Sequence, residues 1–325
     1  MEKKPVKIAF FGSDEISLPF LDALLNCDQD LEIVAVLTQP DRKSGRGRIL
    51  HSNPIKKWAH SLSIPVHDPS KPGVEQVEWL KEKSVDLILV MAYGHILTNH
   101  FLNLAPLGCF NLHASLLPKY RGASPIETAV ALGEEKTGVT LMQVVPRMDA
   151  GPIVDSQVVP ILSSDTGLSL RLKIAQASVP LILRSLPVLL SGNCKLMDQR
   201  EEEASYCRKL RKDDGLLDFS LSAQELISRN CAFSSWPGSF FVDRKTVLKV
   251  GKMRKVSNSG MLKVGQRDPG FSQSLIIGTG DGKVEIQELQ KPGGKMLPVA
   301  DFLRGYSIPE NIIFISSQKP LPLLR

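Results

Sequence analysis

The sequence predicts an α/β fold: a doubly wound, Rossmann-like domain followed by a second, smaller domain of OB-like β-barrel type. Three observations predict it. Apolar runs of five or six residues recur through the first half, helix-patterned segments alternate with them, and beyond residue 208 short β-rich runs are separated by glycine turns. Unbroken apolar runs suit strands covered on both faces, and their alternation with helices implies parallel βαβ units. Short strands with regular turns argue for an antiparallel barrel. A chain of 325 residues is long enough for two cores, since single domains run about 100 to 200 residues.

In chain order, VKIAFFG is the first strand, SLPFLDALLN a helix, LEIVAVLT a strand, and NPIKKWAHSL and GVEQVEWLKEK helices. VDLILVMA and GCFNLH are further strands, followed by GVTLMQVV and GPIVDSQVV. The long helical pattern TGLSLRLKIAQASVPLILRSLPVLLSG closes the first domain, 1–192. NCKLMDQREEEASYCRK reads as a polar linker, 193–208, and the second domain occupies 209–325, opening with the amphipathic SAQELISRNCAF.

The N-terminal apolar stretch, about five residues, is too short for a signal-peptide core. VPLILRSLPVLL is interrupted by Arg184 and falls short of the roughly 20 residues that span a bilayer. No membrane segment is expected. Cys27, Cys109, Cys194, Cys207 and Cys231 are scattered without a C-x-x-C pair, so neither a disulfide framework nor a zinc site is indicated and a reducing cytoplasm fits. Charge is uneven. Residues 1–203 carry 21 Lys and Arg against 23 Asp and Glu, whereas residues 204–325 carry 19 against 11. A basic C-terminal third suggests a polyanionic partner, bound with counterion release.

The first turn, FFGSDEIS, holds only Gly12, and G-x-G-x-x-G is absent, which removes the main support for dinucleotide chemistry. TQPDRKSGRGRILHSNPIKK places Arg42, Lys43, Arg46 and Arg48 on a long loop, where cations could reach phosphate or carboxylate. The remaining candidate is CFNLHASLLPKYRGASP. Asn111 and His113 stand two apart at a strand end, so both side chains face the same way. Ligands of doubly wound sheets gather at such ends. Asp149, in VPRMDAGPI, would orient and charge the imidazole and complete a set for proton transfer and oxyanion stabilisation. His51, His60, His67, His95 and His100 show no H-E-x-x-H spacing, and no G-x-S-x-G elbow is present. Neither metal catalysis nor an acyl-enzyme is indicated.

NLHASLLPKYRGASPI with the downstream MDAGPI resembles the core of the folate-dependent formyltransferases. TQPDRKSGRGRILHSNPIK, YCRKL, DFSLSAQEL and AFSSWPG narrow the resemblance to the branch of that family acting on methionyl-initiator tRNA. It covers nearly the whole chain. The resemblance implies 10-formyltetrahydrofolate as formyl donor and Asn111, His113 and Asp149 as catalytic residues. It also implies that Ser115, Leu116, Leu117 and Pro118 border the folate and that Tyr93 and Gly94 offer backbone contacts to the pterin. The C-terminal OB-like domain is then expected to bind tRNA, with Arg42, Lys43, Arg46 and Arg48 against the acceptor stem. The implied enzyme is a cytoplasmic monomer without a DNA or membrane partner. A formyltransferase for nucleotide-linked amino sugars and a non-catalytic RNA-binding protein are the alternatives. The family usually reads FGTPEFA where this chain has FGSDEIS, which is expected to change local geometry only.

Overall fold

Five of the seven residues of β1 (Val6–Gly12) are buried, as a strand covered on both faces requires. The computed structural model describes residues 4–44, 49–256, 262–314 and 322–324. After β1 come α1 (Leu18–Leu25), β2 (Leu31–Leu37), a short hairpin of β3 (Arg42–Ser44) and β4 (Ile49–His51), then α2 (Pro54–Ser61) and β5 (Val66–His67). α3 (Val74–Glu82), β6 (Leu87–Met91), α4 (Asn99–Leu102) and β7 (Cys109–His113) follow. Next are β8 (Arg121–Gly122), α5 (Pro125–Ala131), β9 (Lys136–Gln143), β10 (Ile153–Pro160), α6 (Gly167–Ser191) and β11 (Tyr206–Cys207).

The main sheet runs β10-β9-β7-β6-β1-β2-β5. β5, β2, β1, β6 and β7 are parallel, whereas β9 and β10 join antiparallel. Period-two alternation sends Ala9, Phe11, Ile88 and Val90 to one face, where Val77 and Leu80 of α3 and Phe101 of α4 cover them. Phe10 points the other way and meets Phe20 of α1 edge-on at 5.7 Å. α6, the long closing helix of the sequence pattern, is long and apolar enough to cross a membrane by length and composition alone. Its stripe Ile174, Ser178, Leu181, Ser185 and Leu189 is buried. Arg184 donates from Nε to Asp155 Oδ2 (2.6 Å), from Nη1 to Gln157 Oε1 (2.6 Å) and from Nη2 to the Ser156 carbonyl (2.8 Å). The charge that interrupts the apolar run therefore ties the helix to β10.

The chain forms two units, one of residues 1–123, 136–160 and 171–206, the other of 124–135, 161–170 and 207–325. The division is not sequential. The segment containing α5 clusters with the C-terminal part, and 193–206, which reads as a linker, clusters with the sheet.

In the second unit, α7 (Ala223–Ala232) starts with a capping box in which Ser222 Oγ accepts from Glu225 N at 3.2 Å and Ser222 N donates to Glu225 Oε2 at 2.8 Å. The strands β12 (Ser239–Asp243), β13 (Thr246–Val250), β14 (Met253–Val256), β15 (Leu275–Gly278), β16 (Lys283–Ile286), β17 (Glu288–Gln290) and β18 (Leu297–Pro298) precede α8 (Val299–Gly305). They form two antiparallel sheets, β12-β13-β17-β18 and β14-β16-β15. Phe219, Phe241, Leu248, Ile277, Val284 and Phe302 lie in their shared core.

Candidate active site

β7 brings Asn111 and His113 to the carboxyl end of the parallel strands, where Val90 pairs with Asn111 and His113 pairs with Thr140. His113 is buried and Asn111 half-buried. His113 Nε2 lies 2.9 Å from the Tyr120 carbonyl. A carbonyl only accepts, so Nε2 carries the hydrogen there. Nδ1 faces Asp149 Oδ2 at 3.7 Å, an ion-pair distance longer than a hydrogen bond. A proton taken up at Nδ1 therefore sits beside a carboxylate. The same Oδ2 accepts from Gly122 N at 2.8 Å. Among the described residues the Asn111 amide makes no hydrogen bond and remains available as a donor.

Asp149 has φ of 49°, a left-handed conformation uncommon outside glycine and better tolerated by Asp than by most residues. It opens a turn that ends on Gly151, where a Cβ would lie 1.8 Å from the Gln143 carbonyl. Only glycine fits there.

The loop after β7 is internally bonded. Ser115 is fully buried, and its hydroxyl donates to the Lys119 carbonyl at 2.7 Å, so it shapes the loop from within. Thr140 Oγ1 accepts from Leu117 N at 3.2 Å and donates to the Ser115 carbonyl at 2.6 Å. Leu116 and Pro118 are partly exposed, and Leu117 is buried.

Beyond β6, Ala92 and Gly94 are left-handed, with φ of 50° and 76°. Tyr93 is buried between them, its phenol pushed to higher pKa by burial, and its carbonyl accepts from Gln39 Nε2 at 2.8 Å. A side chain at position 94 would meet that Nε2 at 2.6 Å. Among the described residues, the backbone groups of Gly94, His95 and Ile96 have no hydrogen-bond partner. Exposed Gly94 and Ile96 thus leave peptide donors and acceptors unpaired. Burial, then Arg42, lowers the His95 pKa.

Arg42 is exposed and donates from Nη2 to Gln39 Oε1. Its neighbours belong to the β3–β4 hairpin, which the glycine-rich sequence does not announce. Arg46, Arg48 and the Lys43 side chain lie outside the described residues. In the FGSDEIS turn, Asp14 Oδ1 accepts from Ile16 N (3.0 Å) and Ser13 Oγ accepts from Gln39 N (3.0 Å). Asp14 also pairs with Arg171 at 2.5 Å. These substituted residues anchor the turn locally. Among the described residues no group of three or more His, Cys, Asp or Glu converges in a metal-like cluster.

Sequence reasoning missed a polar assembly behind Asp149. Gln199 Nε2 donates to the carbonyls of Asp149 (2.9 Å) and Gly151 (2.7 Å). Its Oε1 accepts from Arg121 Nε at 3.0 Å and Nη2 at 2.8 Å. The fully buried Arg121 also donates to both oxygens of Glu201 (2.8 and 3.2 Å) and to Tyr206 OH (2.8 Å). These bonds occupy all five guanidinium N–H groups.

The doubly wound sheet with a polar set at its strand ends defines a ligand-binding α/β domain. Residues 6–186 match the formyl transferase family model, and 209–307 match its C-terminal domain model. The methionyl-tRNA formyltransferase of Herminiimonas arsenicoxydans is 38% identical over 313 residues, covering 93% of this chain and 98% of its own. That of Pelotomaculum thermopropionicum is 35% identical over 310 residues, covering 95% and 98%. The chain belongs to the methionyl-tRNA formyltransferase family. In fold it is similar to an N-formyltransferase from Helicobacter canadensis in complex with folinic acid and dTDP-3-aminofucose, with TM-score 0.66, 20% identity and coverage of 88% of this chain and 99% of that one. HypX from Aquifex aeolicus in complex with tetrahydrofolic acid has TM-score 0.59 at 17% identity, covering 91% of this chain and 46% of the other. The family's formyl donor is 10-formyltetrahydrofolate. The unpaired peptide groups at 94–96 and the partly exposed Leu116 and Pro118 fit a flat heterocycle with polar edges.

Proposed function

We propose that this chain transfers the formyl group of 10-formyltetrahydrofolate to the α-amino group of methionyl-initiator tRNA, for translation initiation. The observation that carries the reading is the His113–Asp149 pair, beside the unpaired Asn111 amide, in a chain 38% identical to a methionyl-tRNA formyltransferase. The donor supplies an electrophilic formyl carbon. The amine must be neutral to attack, and an α-amino group titrates at about 7.7 to 8.0. Asn111 donates to the formyl oxygen as negative charge develops there. His113 takes the proton lost by the amine at Nδ1, which faces Asp149, and returns it to the folate nitrogen as the bond from that nitrogen to the formyl carbon breaks and tetrahydrofolate leaves. Its Nε2–H is engaged by Tyr120 O, which leaves Nδ1 as the nitrogen that gains and gives up the proton.

Tyr93 and Gly94 with Ser115 to Pro118 form the donor site, in a catalytic part spanning 1–192. Residues 193–208 connect it to the OB-like tRNA-binding part, 209–325, and Arg42, Lys43, Arg46 and Arg48 contact the acceptor stem. Exposed Lys245, Lys249 and Lys255 support a phosphate-binding role for the C-terminal part. The protein acts as a cytoplasmic monomer, without membrane or DNA partners. Mixing it with 10-formyltetrahydrofolate and methionylated initiator tRNA tests this reading, and formylated methionyl ester is the expected product. Formylation of a nucleotide-linked amino sugar alone would select the sugar reading, and tRNA binding without transfer would select a non-catalytic one.

A further inference from the structure

Gln199 lies in a segment of apparent linker composition, yet it is bonded to the backbone on both sides of Ala150. Arg121 fixes which way the amide faces. Two guanidinium N–H groups point at one Gln199 oxygen, so the –NH₂ must address the carbonyls of Asp149 and Gly151. The next residue completes the clamp, because Gly122 N donates to the Asp149 carboxylate. One short segment, Arg121–Gly122, thus grips the turn twice. Its backbone holds the carboxylate, and its side chain holds the carbonyls through Gln199.

The turn needs such restraint. Asp149 is left-handed, and its carboxylate stands 3.7 Å from His113 Nδ1, so a shift of under one ångström separates an ion pair from a hydrogen bond. Misplacement on that scale can cost roughly a hundredfold in rate. A glutamine whose only duty was to satisfy Arg121 would need no contact with the turn.

We propose that Gln199 is a positioning residue for formyl transfer, acting through Asp149, an inference that rests on the catalytic reading of Asp149. Gln199→Glu isolates the role. A carboxylate still accepts from Arg121 but presents an acceptor, not donors, to the two carbonyls. Single-turnover formylation is expected to slow roughly 10- to 100-fold, with KM for both substrates within about twofold and Tm close to wild type. In an Asp149→Ala background, Gln199→Glu is expected to slow the rate no further, since residues acting as one unit are not additive. If Asp149→Ala slows the reaction but the two effects multiply, the positioning role is overturned while the catalytic reading stands. A wild-type rate in Gln199→Glu also overturns it. An unimpaired Asp149→Ala enzyme overturns both. Gln199→Met, which keeps the length and removes donor and acceptor, runs the same cycle if Gln199→Glu does not fold.

Discussion

The strand-end site and the β3–β4 hairpin both follow the carboxyl ends of parallel strands, β7 and β2, but they are held in opposite ways. His113 and Asp149 are fixed by contacts to Tyr120, Gly122 and Gln199, backed by an arginine with no exposed side-chain surface. The hairpin shows Ile49 at 62% exposure and Leu50 at 58%, and among the described residues its ties are at its root, through Asp41, Lys56 and Gln39. Proton transfer demands distances fixed to a fraction of an ångström, whereas neutralising phosphates demands only charge within reach. Chemistry and affinity should therefore separate under mutation. His113→Ala is expected to slow single-turnover formylation roughly 100- to 1,000-fold, and Asp149→Asn roughly 100-fold, while a filter-binding assay shows tRNA affinity within about twofold of wild type. Near-normal turnover in either variant would break the contrast.

The converse change belongs to the hairpin. Arg42→Ala is expected to weaken tRNA binding several-fold and to reduce the slope of log affinity against log salt by about 0.7 to 0.9, the loss of one phosphate contact. The single-turnover rate at saturating tRNA should stay near wild type. Arg42 donates to Gln39, whose amide also holds the Tyr93 carbonyl. A loss of rate with an unchanged salt slope would mean that the hairpin serves the donor loop rather than tRNA.

The two regions also differ in how far they could be read from sequence. β1, β2, β6 and β7 were legible because unbroken apolar runs that alternate with helices suit doubly covered strands, and Asn111 and His113 were legible because period two aims i and i+2 alike. α7 was legible from its amphipathic pattern. The direction of β9 and β10 was not, since an apolar run reads the same in either orientation. Arg121 and Gln199 were illegible for another reason. A contact between residues 78 apart leaves no periodic trace, and a polar tract such as MDQREEEASY resembles a solvated linker whether or not an arginine is buried against it. The β3–β4 pairing was hidden by glycines and charges that suit a loop equally well.

The smallest expected effect lies at the hairpin root, where Lys56 bridges Asp41 (3.0 Å) and Asp68 (2.8 Å). The Asp68 hydrogen bond raises the Lys56 pKa above its ordinary 10.5, so the lysine's contribution to stability is complete below that value and is lost as pH rises through the folded one. The Lys56 hydrogen bond lowers Asp41 below its ordinary 3.8, so its contribution is present above that value and is lost as pH falls through the folded one. The bridge therefore keeps full strength between those limits. Lys56→Met is expected to lower Tm by at most a few degrees, as for partly exposed ion pairs in a chain of this size. The difference from wild type should stay constant from pH 5 to about 9 and shrink below about pH 4. A difference that changes within that window would instead trace the effect to a group other than the bridge. The root would then be a pH-responsive tether, and its contrast with the strand-end site would sharpen.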